Sequence, residues 1–278
     1  MIEIPEAANL AQEMRTSLVG RRIVRVAAAA SPHRFAFYYG DPAQYAPQLE
    51  GRRIDGASSF GGFAQLHIGQ TRLAVSDGAN LRLYGPGEKH PAKHQLHIEL
   101  DDGCSLLCTI QMYGGIWVFP EGGMRDNEYL QGARAKPSPL SEAFDEAYFD
   151  SLRRGVSKPS ISVKAFLATE QRIPGLGNGV LQDILFMAGV NPKTKLGLLT
   201  DGELKGLYHS VKDTLRAMTD EGGRSTERDL FGRPRRYPTM LSSKTYQLPC
   251  PHCGGGLVRQ AYLGGNIYYC PKCQPVKQ

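Results

Sequence analysis

CPHCGGGLVRQAYLGGNIYYCPKC, residues 250–273, is bracketed by two cysteine pairs, Cys250/Cys253 and Cys270/Cys273, spaced C-x2-C-x16-C-x2-C. Four thiolates in two knuckles are what tetrahedral Zn²⁺ takes. With every position filled by sulfur, none is left for water or substrate, so the spacing predicts one structural zinc ion. Between the knuckles, Leu257 to Leu263 and Asn266 to Tyr269 have strand composition, with Gly264-Gly265 at the turn. The stretch therefore reads as a β-hairpin with a metal at its base. Arg259 and Gln260 lie on it, placed either to meet a nucleic-acid strand or simply to be solvated, and His252 reads as an exposed polar residue. The other two cysteines, Cys104 and Cys108, sit in an apolar run and read as buried thiols.

The hairpin belongs to a basic half. Residues 151–278 hold 19 Lys/Arg against 9 Asp/Glu, a net +10, whereas residues 1–150 hold 14 against 18, a net −4. Such asymmetry predicts a polyanion gripped mainly from the C-terminal side. The hydrophobic content of 41% and charged content of 22% are those of an ordinary globular protein. No apolar run approaches the ~20 residues that span a bilayer, and no secretory pattern follows Met1. A monomeric cytoplasmic protein without a membrane partner is expected.

Upstream of the hairpin, Ile173-Pro174-Gly175-Leu176-Gly177-Asn178-Gly179 precedes an apolar helical stretch. Glycines allow close backbone approach, and a helix N-terminus offers N–H groups to an anion, so a phosphate site is plausible at this turn. It has neither the strand of a dinucleotide fingerprint nor the Gly-Lys-Ser/Thr of a Walker loop. Helical spacing marks Glu142 to Arg153, Val163 to Gln171, Leu181 to Ala188 and Glu203 to Thr219, with Ser160 or Ser162 as a cap for the second. Gly222 to Met240, rich in Gly, Arg and Pro, reads as an exposed loop.

The first half reads differently. After a helix over Ala7 to Leu18, short β-rich runs follow one another: 23–27, 35–39, 63–68, 72–75, 81–84, 96–100, 105–110 and 116–119. Short strands with glycine turns between them predict a β-sandwich or barrel. The expected organisation is α+β in two domains: a β-sandwich over 1–120 with a flanking helix, a linker over 121–139, then helices over 140–240 and the zinc hairpin over 241–278. Ahead of everything stand Met1-Ile2-Glu3-Ile4-Pro5-Glu6, which put two carboxylates close to an α-amine. An amine beside a carboxylic acid is a minimal Schiff-base pair, one group to attack and one to move protons.

Together these pieces resemble the bacterial formamidopyrimidine-DNA glycosylase and endonuclease VIII family, whose members begin Met-Pro-Glu-Leu-Pro-Glu. That family orders its parts as β-sandwich, helix–two-turn–helix domain with a Gly-x-Gly-Asn turn, and four-cysteine zinc hairpin. The resemblance rests on Glu3-x-Pro5-Glu6, on Gly175-Leu176-Gly177-Asn178 and on the cysteine spacing, in that order along almost the whole chain. It implies a base-excision glycosylase acting on oxidised or ring-opened bases in duplex DNA, with an AP-lyase step open to it. It implies that Glu3 shuttles protons and that Glu6 is a second carboxylate. The nucleophile would be the amine of Met1, or of Ile2 if Met1 is trimmed. Asn178, flanked by Gly177 and Gly179, would hold a backbone phosphate, Lys164 would lie at the DNA surface, and Gly222 to Tyr237 would form a mobile loop over the flipped base.

Departures are as clear as matches. Ile2 stands where the family has its nucleophilic proline, and no lysine occurs before Lys89. The family's sandwich lysine falls near Phe60, its void-filling methionine near Asp77, and its hairpin arginine near Gly265. The side chains filling the hole left by a flipped base fall at Gln111, Met112 and Tyr113, read as a glycine-flanked turn. These losses motivate an alternative of another class, a lesion- or structure-specific DNA-binding protein of the same fold whose chemistry has changed. An RNA-binding zinc-ribbon protein fits the charge but leaves the N-terminal carboxylates unused.

Overall fold

Two long strands among shorter ones organise the sheet of the first half. In a computed structural model describing residues 1–277, the chain forms two compact units, residues 1–131 with 225–235, and residues 132–224 with 236 onward. The first unit opens with α1 (Ile4–Leu18), followed by β1 (Ile23–Ala28), β2 (Ala36–Tyr38), α2 (Tyr45–Leu49), β3 (Gly56–Phe60), β4 (Phe63–Ile68), β5 (Thr71–Tyr84), β6 (Leu96–Leu100) and β7 (Ser105–Pro120). The expected runs 72–75 and 81–84 merge into β5, and 105–110 and 116–119 merge into β7. One seven-stranded sheet results, in the order β1-β6-β7-β5-β4-β3, with β2 lying parallel to β7. The second half of β5 pairs with the first half of β7, and the first half with the second, so two long strands serve both halves of the sandwich. Leu10, Met14 and Leu18 of α1 share one core with Leu66, Ile98, Leu106 and Ile116 from both halves.

Between the two registers of β5 and β7 lies a large bulge. Asp77 faces Gly114 and Ala79 faces Ile110, so Gly78 alone opposes Gln111, Met112 and Tyr113. What reads in sequence as a turn is thus a three-residue bulge inside a strand. A Cβ on Gly78 would overlap the Gln111 carbonyl oxygen, which is why the residue opposite the bulge has no side chain.

Helix α3 (Glu128–Ala135) occupies what reads as linker; Leu130 and Ala133 are buried there, but eight residues carry too little periodicity to announce it. The second unit contains α4 (Glu146–Arg154), α5 (Val163–Ala168), α6 (Asn178–Met187), α7 (Asp201–Asp220) and the hairpin β8 (Val258–Tyr262) and β9 (Gly265–Tyr269). Ser162, not Ser160, caps α5, its hydroxyl accepting the Ala165 N–H at 3.2 Å. The hairpin turn is Leu263-Gly264, one residue earlier than expected, with both residues at positive φ. Among the described residues no helix is long and apolar enough to cross a membrane.

Candidate active site and nucleic-acid interface

The N-terminus is pinned to the sheet. Ile2, expected as a candidate nucleophile, is 8% exposed, belongs to the sandwich core and gives its N–H to the Asp77 carbonyl at 2.6 Å. Glu3 then caps α1, and the Glu6 carboxylate accepts the Glu3 N–H at 3.3 Å, closing a capping box. Glu6 is therefore part of the scaffold that orients Glu3. Glu3 itself is 3% exposed at the N-terminal end of α1. The Met1 ammonium donates to the Glu227 carboxylate at 2.6 Å.

Asp77, expected only as the position of a missing methionine, adds a carboxyl group. It sits at φ +57°, a region a non-glycine residue adopts only when its surroundings hold it there. Its carboxyl accepts from Tyr129 at 3.2 Å and from Ser76 at 2.9 Å. Burial pushes its pKa up, while the two hydroxyl donors and the nearby α-ammonium pull it down. Tyr113 is close enough to Asp77 and Glu3 for both carboxylates to raise its phenol, after the larger effect of burial. The bulge projects Met112, 68% exposed and at φ +67°, together with exposed Tyr113 and Gln111. Met1, Ile2, Glu3, Asp77 and Tyr113 are therefore gathered at one place in the first unit.

The segment 225–235, expected within an exposed, mobile loop over the flipped base, packs into the first unit. Sequence shows only a Gly-, Arg- and Pro-rich loop, yet Leu230 is fully buried in the sandwich core. The signal available was a single leucine among polar residues, too little to announce a core contact.

In the second unit, Gly177 is the N-cap of α6, and Asn178 and Gly179 form its first turn. Asn178 Nδ2 donates to the Asn266 carbonyl at 2.9 Å. Gln182, one turn on, donates to the Asn178 carbonyl at 2.9 Å and accepts the Tyr268 N–H at 3.0 Å. The glycine-asparagine turn is thus stitched to the hairpin. Lys164, expected at a DNA surface, is instead 3% exposed, and its Nζ donates to the Tyr262 carbonyl at 2.7 Å. Burial lowers its pKa, and it ties α5 to β8. Sequence placed it fourteen residues before Asn178 but had no means of showing which way it faces. Arg259 stays exposed, its guanidinium 5.6 Å from the Tyr246 ring centroid.

The sulfurs of Cys250, Cys253, Cys270 and Cys273 all lie within 4.8 Å of one another. Cys250–Cys273 and Cys253–Cys270 stand 3.8 and 3.5 Å apart. Tetrahedral ligands at ~2.3 Å from a metal would be about 3.8 Å apart, so the cluster fits one ion.

Residues 136–229 match the formamidopyrimidine-DNA glycosylase H2TH domain family. A formamidopyrimidine-DNA glycosylase of Symbiobacterium thermophilum is 29% identical, over 100% of this chain and 90% of its own length. That of Bacillus subtilis is 26% identical over 100% of both. Residues 136–229 thus carry an H2TH domain of that family, and the chain as a whole is similar to these glycosylases. Solved structures of the family carry the same fold. The MutM (Fpg) protein of Thermus thermophilus superposes with a TM-score of 0.81 at 24% identity, covering 99% of this chain and 100% of its own. Lactococcus lactis Fpg, crystallised with DNA containing an abasic site, gives 0.83 at 22%, covering 98% and 99%.

Proposed function

We propose that this protein is a base-excision repair DNA glycosylase that removes damaged bases from duplex DNA and carries an AP-lyase step. The observation that carries the reading is Glu3, buried at the cap of α1 beside the α-amine and Asp77 in a chain similar to these glycosylases. Base chemistry on a duplex needs the nucleotide flipped out of the stack, at a cost of a few kcal/mol. Met112 and Tyr113, extruded by the bulge, are placed to fill the hole, with Gln111 beside them. The α-amine of Met1, or of Ile2 if Met1 is removed, attacks the sugar C1′, and Glu3 gives and takes protons. Glu6 serves by holding Glu3.

On the DNA side, Gly177, Asn178 and Gly179 present the start of α6 to a backbone phosphate, and Arg259 meets a second from the hairpin. Lys164 acts one step removed, by fixing the hairpin strand on which Arg259 stands. The four cysteines hold one zinc ion, which shapes the hairpin and takes no part in the reaction. The binding-only alternative is disfavoured because the curated relatives carry the name of an enzyme.

The test is Glu3→Gln. Base release from oxidised-base duplexes is expected to fall by about 10²-fold or more, with duplex affinity retained. Unchanged release would remove Glu3 from the mechanism. Borohydride trapping on abasic DNA separates the forms of the reaction: base release without a covalent adduct would replace the lyase form with one in which Glu3 activates water.

A further inference from the structure

Residues 225–235 form a compact clasp on the first unit. Its own backbone is closed by Arg235 N–H to the Glu227 carbonyl at 3.1 Å and Asp229 N–H to the Arg233 carbonyl at 2.9 Å. Two anchors hold it to the sandwich. Leu230 lies in the core, accepts the Leu83 N–H at 2.8 Å and gives its own N–H to Glu13 at 2.9 Å. Arg235, its side chain 2% exposed, donates to the other oxygen of Glu13 at 2.8 Å. The clasp carries Glu227, whose carboxylate meets the Met1 ammonium at 2.6 Å, while the next residue, Ile2, is pinned to the Asp77 carbonyl. Both members of the ion pair remain partly exposed, as a site open to substrate requires.

We propose that Glu227 is the proton acceptor of the Met1 α-amine, carried to it by this clasp, and is thereby a catalytic residue of the step in which that amine attacks C1′. An ammonium has no lone pair, so the attack needs a base in contact with the nitrogen, and Glu227 is the carboxylate the geometry supplies. On an abasic aldehyde, Glu227 takes one proton from the ammonium and the freed pair forms the N–C1′ bond. The C=O π pair moves onto oxygen. That oxygen receives the proton from Glu227 and a second from the nitrogen and leaves as water, giving the iminium. Besides Glu227 on the clasp, Asp77 on β5 lies near enough to the amine to feel its charge, with Tyr113 and Tyr129 against Asp77 and Glu3 near Tyr113.

The inference rests on the abasic-site reading above, and the experiment separates the two. Single-turnover borohydride trapping on an abasic duplex is followed from mildly acidic to mildly alkaline pH. It compares the full-length zinc-loaded protein with Glu227→Gln and Glu227→Asp, with duplex affinity measured in parallel. The expected result is an adduct mapped by mass to Met1, slowed about 10²-fold at neutral pH in Glu227→Gln with affinity unchanged. The deficit should shrink as hydroxide takes over, and Glu227→Asp should recover part of the rate. Equal rates at every pH, or an adduct on Ile2 or on a lysine, would overturn the proposal. No adduct from the wild type would instead count against the abasic-site reading. The clasp is then judged without DNA: reductive methylation of the Met1 amine should be several-fold faster in Glu227→Gln, and equal labelling overturns it.

Discussion

Asp183, in the middle of α6, accepts the Met240 and Leu241 N–H groups at 3.0 and 2.8 Å. Burial pushes its pKa up to about 6 against those hydrogen bonds and the Arg224 charge. Because the folded value lies above the ordinary one near ~3.9, the folded state binds more protons than the unfolded chain between the two. Asp183 therefore costs nothing below about pH 4, and its penalty grows until about pH 6 and stays above it. The stability of wild type relative to Asp183→Asn is expected to fall over that window, by at most ~1.4 kcal/mol per pH unit. Urea unfolding at several pH values reads this directly, and a pH-independent difference would contradict it. Asp183, Glu6 and Lys164 make the same point about legibility. Sequence shows a charged residue type, but whether it faces a ligand, a helix end or a neighbouring carbonyl is decided by the packing around it.

Under the proposed function, activity turns on two elements, the bulge of β7 and the four-cysteine hairpin. Gly78→Ala forces a methyl group into the Gln111 carbonyl, so the strands must separate or the bulge must be expelled. A loss of about 1–3 kcal/mol in thermal unfolding is expected, with base release impaired more than binding to undamaged duplex. Unaltered stability would mean the bulge is free to rearrange. At the hairpin, chelation or Cys270→Ser should release the metal and lose β8 and β9 with it, because metal binding free energy is folding free energy in such a module. Loss of metal with hairpin amide protection retained would contradict this. The hairpin was readable because ligand chemistry imposes a spacing that chance seldom produces. The bulge was not, because its cause is a clash between residues more than thirty apart in sequence.

At the scale of the whole molecule, the proposed function assigns the grip on DNA to the basic half. Arg259, Lys158, Lys195, Arg236 and Lys244 are all exposed, whereas Lys164 is not. Affinity for duplex should fall steeply with salt, by roughly 0.9 log units per log unit of salt for each phosphate neutralised. Arg259→Ala is expected to lower that slope by about one, and Lys164→Ala to leave it unchanged while destabilising the hairpin. A slope reduced by Lys164→Ala would return that lysine to the interface. What the sequence determined by itself was local or additive: metal spacing, helix periodicity, strand composition, the charge of each half and the order of its parts. Each depends on residues close in the chain, or on a sum over them. The tertiary structure alone decided that Asp77 stands beside the amine and that Lys164 is buried. It alone brought Glu227 across 226 positions to Met1, because such contacts come from packing two distant segments on one core, and no local pattern records it.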